Sequence, residues 1–158
     1  MEKTFASPSK SILQPKKVLV VEDFGPFRAL LHSLIKDVAY LQVICTAEDG
    51  LVAVEKAQAH SPDLILMDIG LPGLNGIETA RRIRIFLSNS KIVFVTQETS
   101  SEVVQEALNL GACGYILKSQ AGNELLAAIE AVLQGNQYVS KGLPGSDCTD
   151  GRRCLPVR

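Results

Sequence analysis

The chain has no apolar run near the ~18 residues that a membrane-spanning helix needs. Its N-terminus, MEKTFASPSKSILQPKK, lacks an apolar stretch of the length found in secretory signals. Both absences point to a cytoplasmic protein with no membrane partner. Cysteine is scarce, with four in all, and none sits at a zinc-ligand spacing with histidine. Cys45 and Cys113 lie in apolar runs and are expected to be buried free thiols. Cys148 and Cys154 fall in a polar tail, and neither zinc nor a structural disulfide is expected. Positive charge is also short where a nucleic acid would need it. Residues 17–140 hold nine basic and fourteen acidic side chains, although the whole chain has a net charge of only −1. Duplex affinity rests on Lys and Arg neutralising phosphates, so this acidic core is a poor DNA binder. No internal repeat is present. No second amphipathic helix pair follows Gly135.

The composition is that of a folded domain: 46% hydrophobic and 21% charged over 158 residues. We expect one domain over 17–140, a flexible leader over 1–16 and a flexible tail over 141–158 that contains no DNA-binding domain. Within the domain, short apolar runs alternate with segments of helical spacing. Lys17–Glu22 reads as a buried strand. Phe27, Leu30, Leu31, Leu34, Ile35 and Val38 then mark a helix. Leu41–Thr46 is a second strand, and Gly50–His60 is a helix with Ala53, Val54 and Ala57 inward, ended by Pro62. Asp63–Met67 is a third strand, followed by a Gly/Pro/Asn loop and a helix to Leu87. Lys91–Val95 is a fourth strand. Ser100 or Ser101 caps a helix that ends at Leu110, with Gly111 as its C′ residue. Cys113–Leu117 is a fifth strand. Asn123–Gln134 is the last helix, with Leu125, Leu126, Ile129, Val132 and Leu133 on one side. Five β-α repeats predict an α/β fold: a doubly wound, flavodoxin-like parallel sheet of five strands, order 2-1-3-4-5, with five flanking helices.

In such a sheet, ligands bind beyond the carboxyl ends of the strands. The residues there are Glu22 and Asp23 after the first strand and Asp68 after the third. Thr96 follows the fourth strand and Lys118 the fifth. Crowded carboxylates repel one another and invite a divalent cation, and an all-oxygen set with room for water suits Mg²⁺. Asp68 has the chemistry of a carboxylate nucleophile that forms an acyl phosphate. Lys118 offers a point charge, and Thr96 a hydroxyl, to phosphoryl oxygens. Taken singly, Asp23 and Asp68 have a turn residue as the lesser alternative, whereas Thr96 is more often a plain strand end and Lys118 usually a solvated lysine. Their joint placement on one rim is what favours the functional reading.

Four pieces of the sequence carry a family resemblance: Val-Leu-Val-Val-Glu-Asp (18–23), Pro-Asp-Leu-Ile-Leu-Met-Asp-Ile-Gly-Leu-Pro-Gly-Leu-Asn-Gly (62–76), Thr96, and Gly-Ala-Cys-Gly-Tyr-Ile-Leu-Lys-Ser (111–119). Over roughly 17–140 the chain resembles the receiver domain of bacterial two-component response regulators, of the kind joined to a LuxR-type helix-turn-helix. The resemblance implies phosphorelay signalling, in which Asp68 accepts a phosphoryl group from a phosphohistidine on a sensor histidine kinase. Asp23, Asp68 and the Gly70 carbonyl would bind Mg²⁺, with Glu22 acting through water. Lys118 would hold a phosphoryl oxygen, and Thr96 and Tyr115 would be the switch pair, with Tyr115 turning inward. The output would be a changed protein-binding face, in a possible homodimer or toward a downstream protein or missing DNA-binding domain, in transcriptional regulation. It would be a phosphoacceptor switch and not an enzyme. Two departures stand out: Gln97 occupies a position usually held by a small residue, and Ser119 one often held by cis-proline. Gln137-Tyr-Val-Ser140 resembles the start of a linker. An aspartyl phosphatase would have its nucleophile after the first strand. A flavin or nucleotide binder would need a Gly- or hydroxyl-rich loop where Glu22-Asp23 stands.

Overall fold

The computed structural model describes residues 14–143. The leader expected before Gln14, the tail after Leu143, and the readings of Cys148 and Cys154 lie outside these residues. Six parallel strands form one sheet in the order β2-β1-β3-β4-β5-β6. They are β1 (Lys16–Val21), β2 (Leu41–Ala47), β3 (Leu64–Met67), β4 (Lys91–Thr96), β5 (Gly114–Leu117) and β6 (Tyr138–Val139). The helices are α1 (Gly25–Ile35), α2 (Gly50–His60), α3 (Gly76–Phe86), α4 (Ser101–Asn109) and α5 (Ala121–Leu133).

The central strands are apolar on both faces because both are covered. Val18 and Val20 of β1 point to one side and join Leu31 and Ile35 of α1 and Leu125, Ile129 and Val132 of α5. Leu19 and Val21 point to the other and join Ala53, Ala57, Ile83, Val104 and Ala107 of α2, α3 and α4. This two-residue alternation divides the interior into two cores.

Local chemistry fixes the helix ends. Pro26 sits in the first turn of α1. Asp49, Asn75 and Ser100 each accept a backbone N–H from the first turn of α2, α3 and α4. The α2 helix stops at Ser61, which adopts the left-handed region at φ 46°, just before Pro62. Gly111, at φ 104°, follows α4 as the sequence predicts.

The structure departs from the sequence reading in three ways. The sheet has a sixth strand, because Tyr138–Val139, read as a linker, pairs with Gly114–Tyr115. Leu30 and Leu126, read as part of the apolar stripes of their helices, are 41% and 38% exposed. Cys113 is disulfide-bonded and not a free thiol, a connectivity that spacing alone does not reveal; Cys45 is free. The Lys118–Ser119 bond, whose geometry the sequence leaves open, is trans; among the described residues no peptide bond is cis.

Candidate functional site

The strand order reverses at β1 and β3, and the crevice of a doubly wound sheet opens at that point. Glu22 and Asp23 leave β1 on one side of it, and Asp68 leaves β3 on the other. Oxygens of these three carboxylates lie within 4.8 Å of one another. Lys118 begins a single 3₁₀ turn (Lys118–Gln120) directly after β5. Its Nζ reaches back to Asp68 Oδ2 at 3.0 Å and Glu22 Oε1 at 3.1 Å. The Phe27 ring lies beneath the ammonium, 4.8 Å from Nζ to its centroid.

Glu22 is fully buried. The Phe24 N–H donates to its Oε2, and Arg28 donates to its backbone carbonyl at 2.7 Å. Lys118 directs its hydrogen bond to the same Oε2, leaving Oε1 in ionic contact but with no hydrogen-bond donor. Burial pushes the Glu22 carboxyl above its ordinary value; the Phe24 and Lys118 hydrogen bonds oppose this, and the Asp68 charge adds to it. Burial disfavours charge on Lys118, yet hydrogen bonds to Asp68 and Glu22 outweigh it and hold the ammonium above its ordinary value. One ammonium among three carboxylates leaves two negative charges unbalanced when all are ionised. An all-oxygen donor set with a buried carboxylate oxygen in need of a partner fits a hard divalent cation such as Mg²⁺.

Asp68 is 6% exposed and opens onto a polar cleft of about 410 Å³ lined by Gly70, Thr96, Gln97, Glu98 and Thr99. The Gly70 N–H donates to Asp68 Oδ1 at 3.2 Å and draws the β3–α3 loop over the carboxylate. Beneath the loop, α3 comes so close that a Cβ on Gly76 would lie 2.2 Å from the Asp68 carbonyl oxygen. Thr96 ends β4 at the cleft wall, and its hydroxyl accepts the Glu98 N–H at 3.3 Å. The Tyr115 ring is fully buried, tilted at 57° against Phe94 with the ring centroids 6.3 Å apart. Its hydroxyl donates to the Glu98 carbonyl at 2.9 Å. Thr96 and Tyr115 are thus tied to one peptide segment, at Glu98.

All the sequence-predicted residues therefore meet at one rim: Lys118 in contact with Glu22 and Asp68, an Asp23 carboxylate oxygen within 4.8 Å of theirs, Gly70 and Thr96 lining the cleft and Tyr115 behind it. Sequence reasoning missed Phe27 and Arg28. Phe27 gave only a helical apolar signal, and Arg28 gave none.

A doubly wound sheet with an acidic crevice, a lysine across it and a hydroxyl at its wall defines a class of protein, the α/β modules that gather their polar site at the strand ends of a switch point. The response regulator receiver domain family matches residues 18–130, and the chain belongs to that family. Response regulator UvrY of Escherichia coli O6:H1 is 31% identical over 126 residues, which cover 80% of this chain and 58% of that protein. The nitrate/nitrite response regulator protein NarL of Escherichia coli K12 is 32% identical over 130 residues, 82% of this chain and 60% of that protein. The chain spans about three fifths of the length of these curated relatives. A crystal structure of a LuxR-family two-component response regulator from Aurantimonas sp. SI85-9A1 superposes with a TM-score of 0.76 at 30% identity, covering 86% of this chain and 95% of that one. The fold is that of the receivers, and the domain is a module of two-component signalling.

Proposed function

We propose that Asp68 is the phosphoacceptor of a transcription-linked response regulator, charged by a phosphohistidine on a sensor histidine kinase in the cytoplasm. The observation that carries this is the Lys118 ammonium, held at 3.0 Å from an Asp68 carboxylate that opens onto a polar cleft. An Asp68 carboxylate oxygen attacks phosphorus. The phosphorus–nitrogen bond of phosphohistidine breaks, the imidazole leaves with its electron pair, and an acyl phosphate forms on Asp68. Asp23, Asp68 and the Gly70 carbonyl would hold Mg²⁺, with Glu22 acting through water; the cation would supply charge neutralisation to the phosphoryl oxygens.

Lys118 is already charged and directed at the acceptor, so it transfers from carboxylate to phosphoryl oxygen with little movement. The phosphoryl group adds roughly −1.5 to −2 charge and three acceptors. It draws the Thr96 hydroxyl away from the Glu98 N–H. Because Tyr115 holds the other end of that segment through the Glu98 carbonyl, the β4–α4 loop is repositioned, and the face of α4, β5 and α5 changes with it. That face would engage a second copy, a downstream protein or a DNA-binding domain. Hydrolysis of the acyl phosphate resets the switch. The domain acts as a phosphoacceptor and does not turn over a separate substrate.

The test is intact-mass analysis after incubation with Mg²⁺ and acetyl phosphate, on the wild type and on Asp68→Asn. The expected result is an acid-labile phosphoryl adduct on the wild type alone. An adduct that persists in the variant would overturn the assignment.

A further inference from the structure

Ser140 follows the sixth strand and is fully buried. Its backbone N–H donates to the Tyr115 carbonyl at 2.8 Å. Its hydroxyl donates to Glu124 Oε1 of α5 at 2.6 Å and accepts the Leu117 N–H at 3.0 Å. The β5–β6 register ends at Tyr115↔Val139, so Leu117 lies past the last backbone acceptor that β6 offers. The Ser140 side chain supplies that acceptor, and the buried Glu124 carboxylate fixes the rotamer of the hydroxyl. Leu117 directly precedes Lys118. Ser140 thus grips β5 at two points, at Tyr115 and just before the site lysine. Ser140 lies outside residues 18–130, the stretch that matches the receiver family.

We propose that Ser140 is a positioning residue for Lys118. By holding the end of β5, it sets the ammonium at the acceptor carboxylate. This rests on the reading of Asp68 as the phosphoacceptor and Lys118 as its phosphoryl-binding partner. Linkage is reciprocal, so stripping Tyr138–Ser140 from the sheet weakens the placement of Lys118, and phosphorylation alters the hold on Ser140.

The test follows adduct formation with Mg²⁺ and acetyl phosphate in the wild type, Ser140→Ala, Ser140→Thr, Lys118→Ala and the Ser140→Ala/Lys118→Ala double variant, over hours so that slow reactions count. Ser140→Ala should slow the reaction about tenfold, the order expected from a small misplacement at a reacting centre. Ser140→Thr should restore the rate. Ser140→Ala should add nothing in the Lys118→Ala background, because positioning through Lys118 makes the two effects non-additive. The Leu117 amide should exchange faster in Ser140→Ala while the Ile65 amide stays protected, which separates a freed strand end from general unfolding. An unchanged rate in Ser140→Ala, or equal slowing in both backgrounds, overturns the proposal. A wild type that takes no adduct sinks the acceptor reading instead. Leu117 exchange then decides on its own whether Ser140 holds the end of β5, and an unchanged rate of exchange overturns that too.

Discussion

Glu22 and Lys118 influence each other's charge before any phosphoryl group arrives. Burial raises the Glu22 pKa from its ordinary 4.5, so the folded chain binds that proton more tightly than the unfolded chain does. Its contribution to stability is full below pH 4.5 and is lost as pH rises through the folded pKa. Without Mg²⁺, Glu22→Gln should match the wild type in acid and unfold at a higher temperature at neutral pH, and Mg²⁺ should narrow the gap. Thermal melts across pH, with and without the cation, measure this. Lys118→Ala should lower the rate of phosphorylation by acetyl phosphate at least about tenfold, since it removes the only side-chain cation placed at the acceptor among the described residues. It should also destabilise the folded state at neutral pH, because two mutually repelling carboxylates lose their shared partner. Asp23, Asp68, Thr96 and Lys118 were legible in the sequence because each stands at the end of a strand, and strand ends follow from hydrophobic pattern alone. Ser140 was not legible, because its hydroxyl acts on residues 16 and 23 positions earlier in the chain and no local pattern encodes such a contact.

The helices serve the site by the way their ends are anchored. At the start of α3, an alanine in place of Gly76 would put its Cβ 2.2 Å from the Asp68 carbonyl oxygen and 2.7 Å from Ile69 Cα. Gly76→Ala should cost about 1–3 kcal/mol, as overpacking does, and should shift the acceptor carboxylate and slow its phosphorylation. Urea unfolding and adduct kinetics test the two effects separately. The other end of α3 is tied down by Arg84. This buried guanidinium donates to the carbonyls of Ser88 at 3.1 Å and Gly111 at 2.9 Å, and also to that of Ser90. Arg84→Met should destabilise by about 1.5–3 kcal/mol, as the loss of charged hydrogen bonds does, read in the same urea experiment. Helix existence was legible from periodicity. These anchors were not, because a buried arginine in a helix of low mean hydropathy looks like any solvated one. The sixth strand was hidden for a related reason: two residues, Tyr138 and Val139, are too short to show alternation.

At the scale of the whole molecule, both cores are closed, and all three phenols feel it. Burial raises the pKa of Tyr40, Tyr115 and Tyr138, most of all Tyr115, above the ordinary 10.0. The folded chain keeps those protons longer than the unfolded chain does. The associated stability is full below pH 10.0 and is lost as pH rises beyond it. Phenolate absorbance should therefore lag behind free tyrosine and rise steeply with alkaline unfolding, and Tyr115→Phe should remove the latest part of the rise. The parallel direction of the sixth strand has a geometric result of its own. The backbone reaches Leu143 on the acceptor rim, whereas it enters β1 at Lys16 from the opposite rim. A fluorophore or binding module joined at Leu143 would thus begin on the rim that carries Asp68, three strands across the sheet from it, whereas the same cargo joined ahead of Lys16 would begin on the opposite rim.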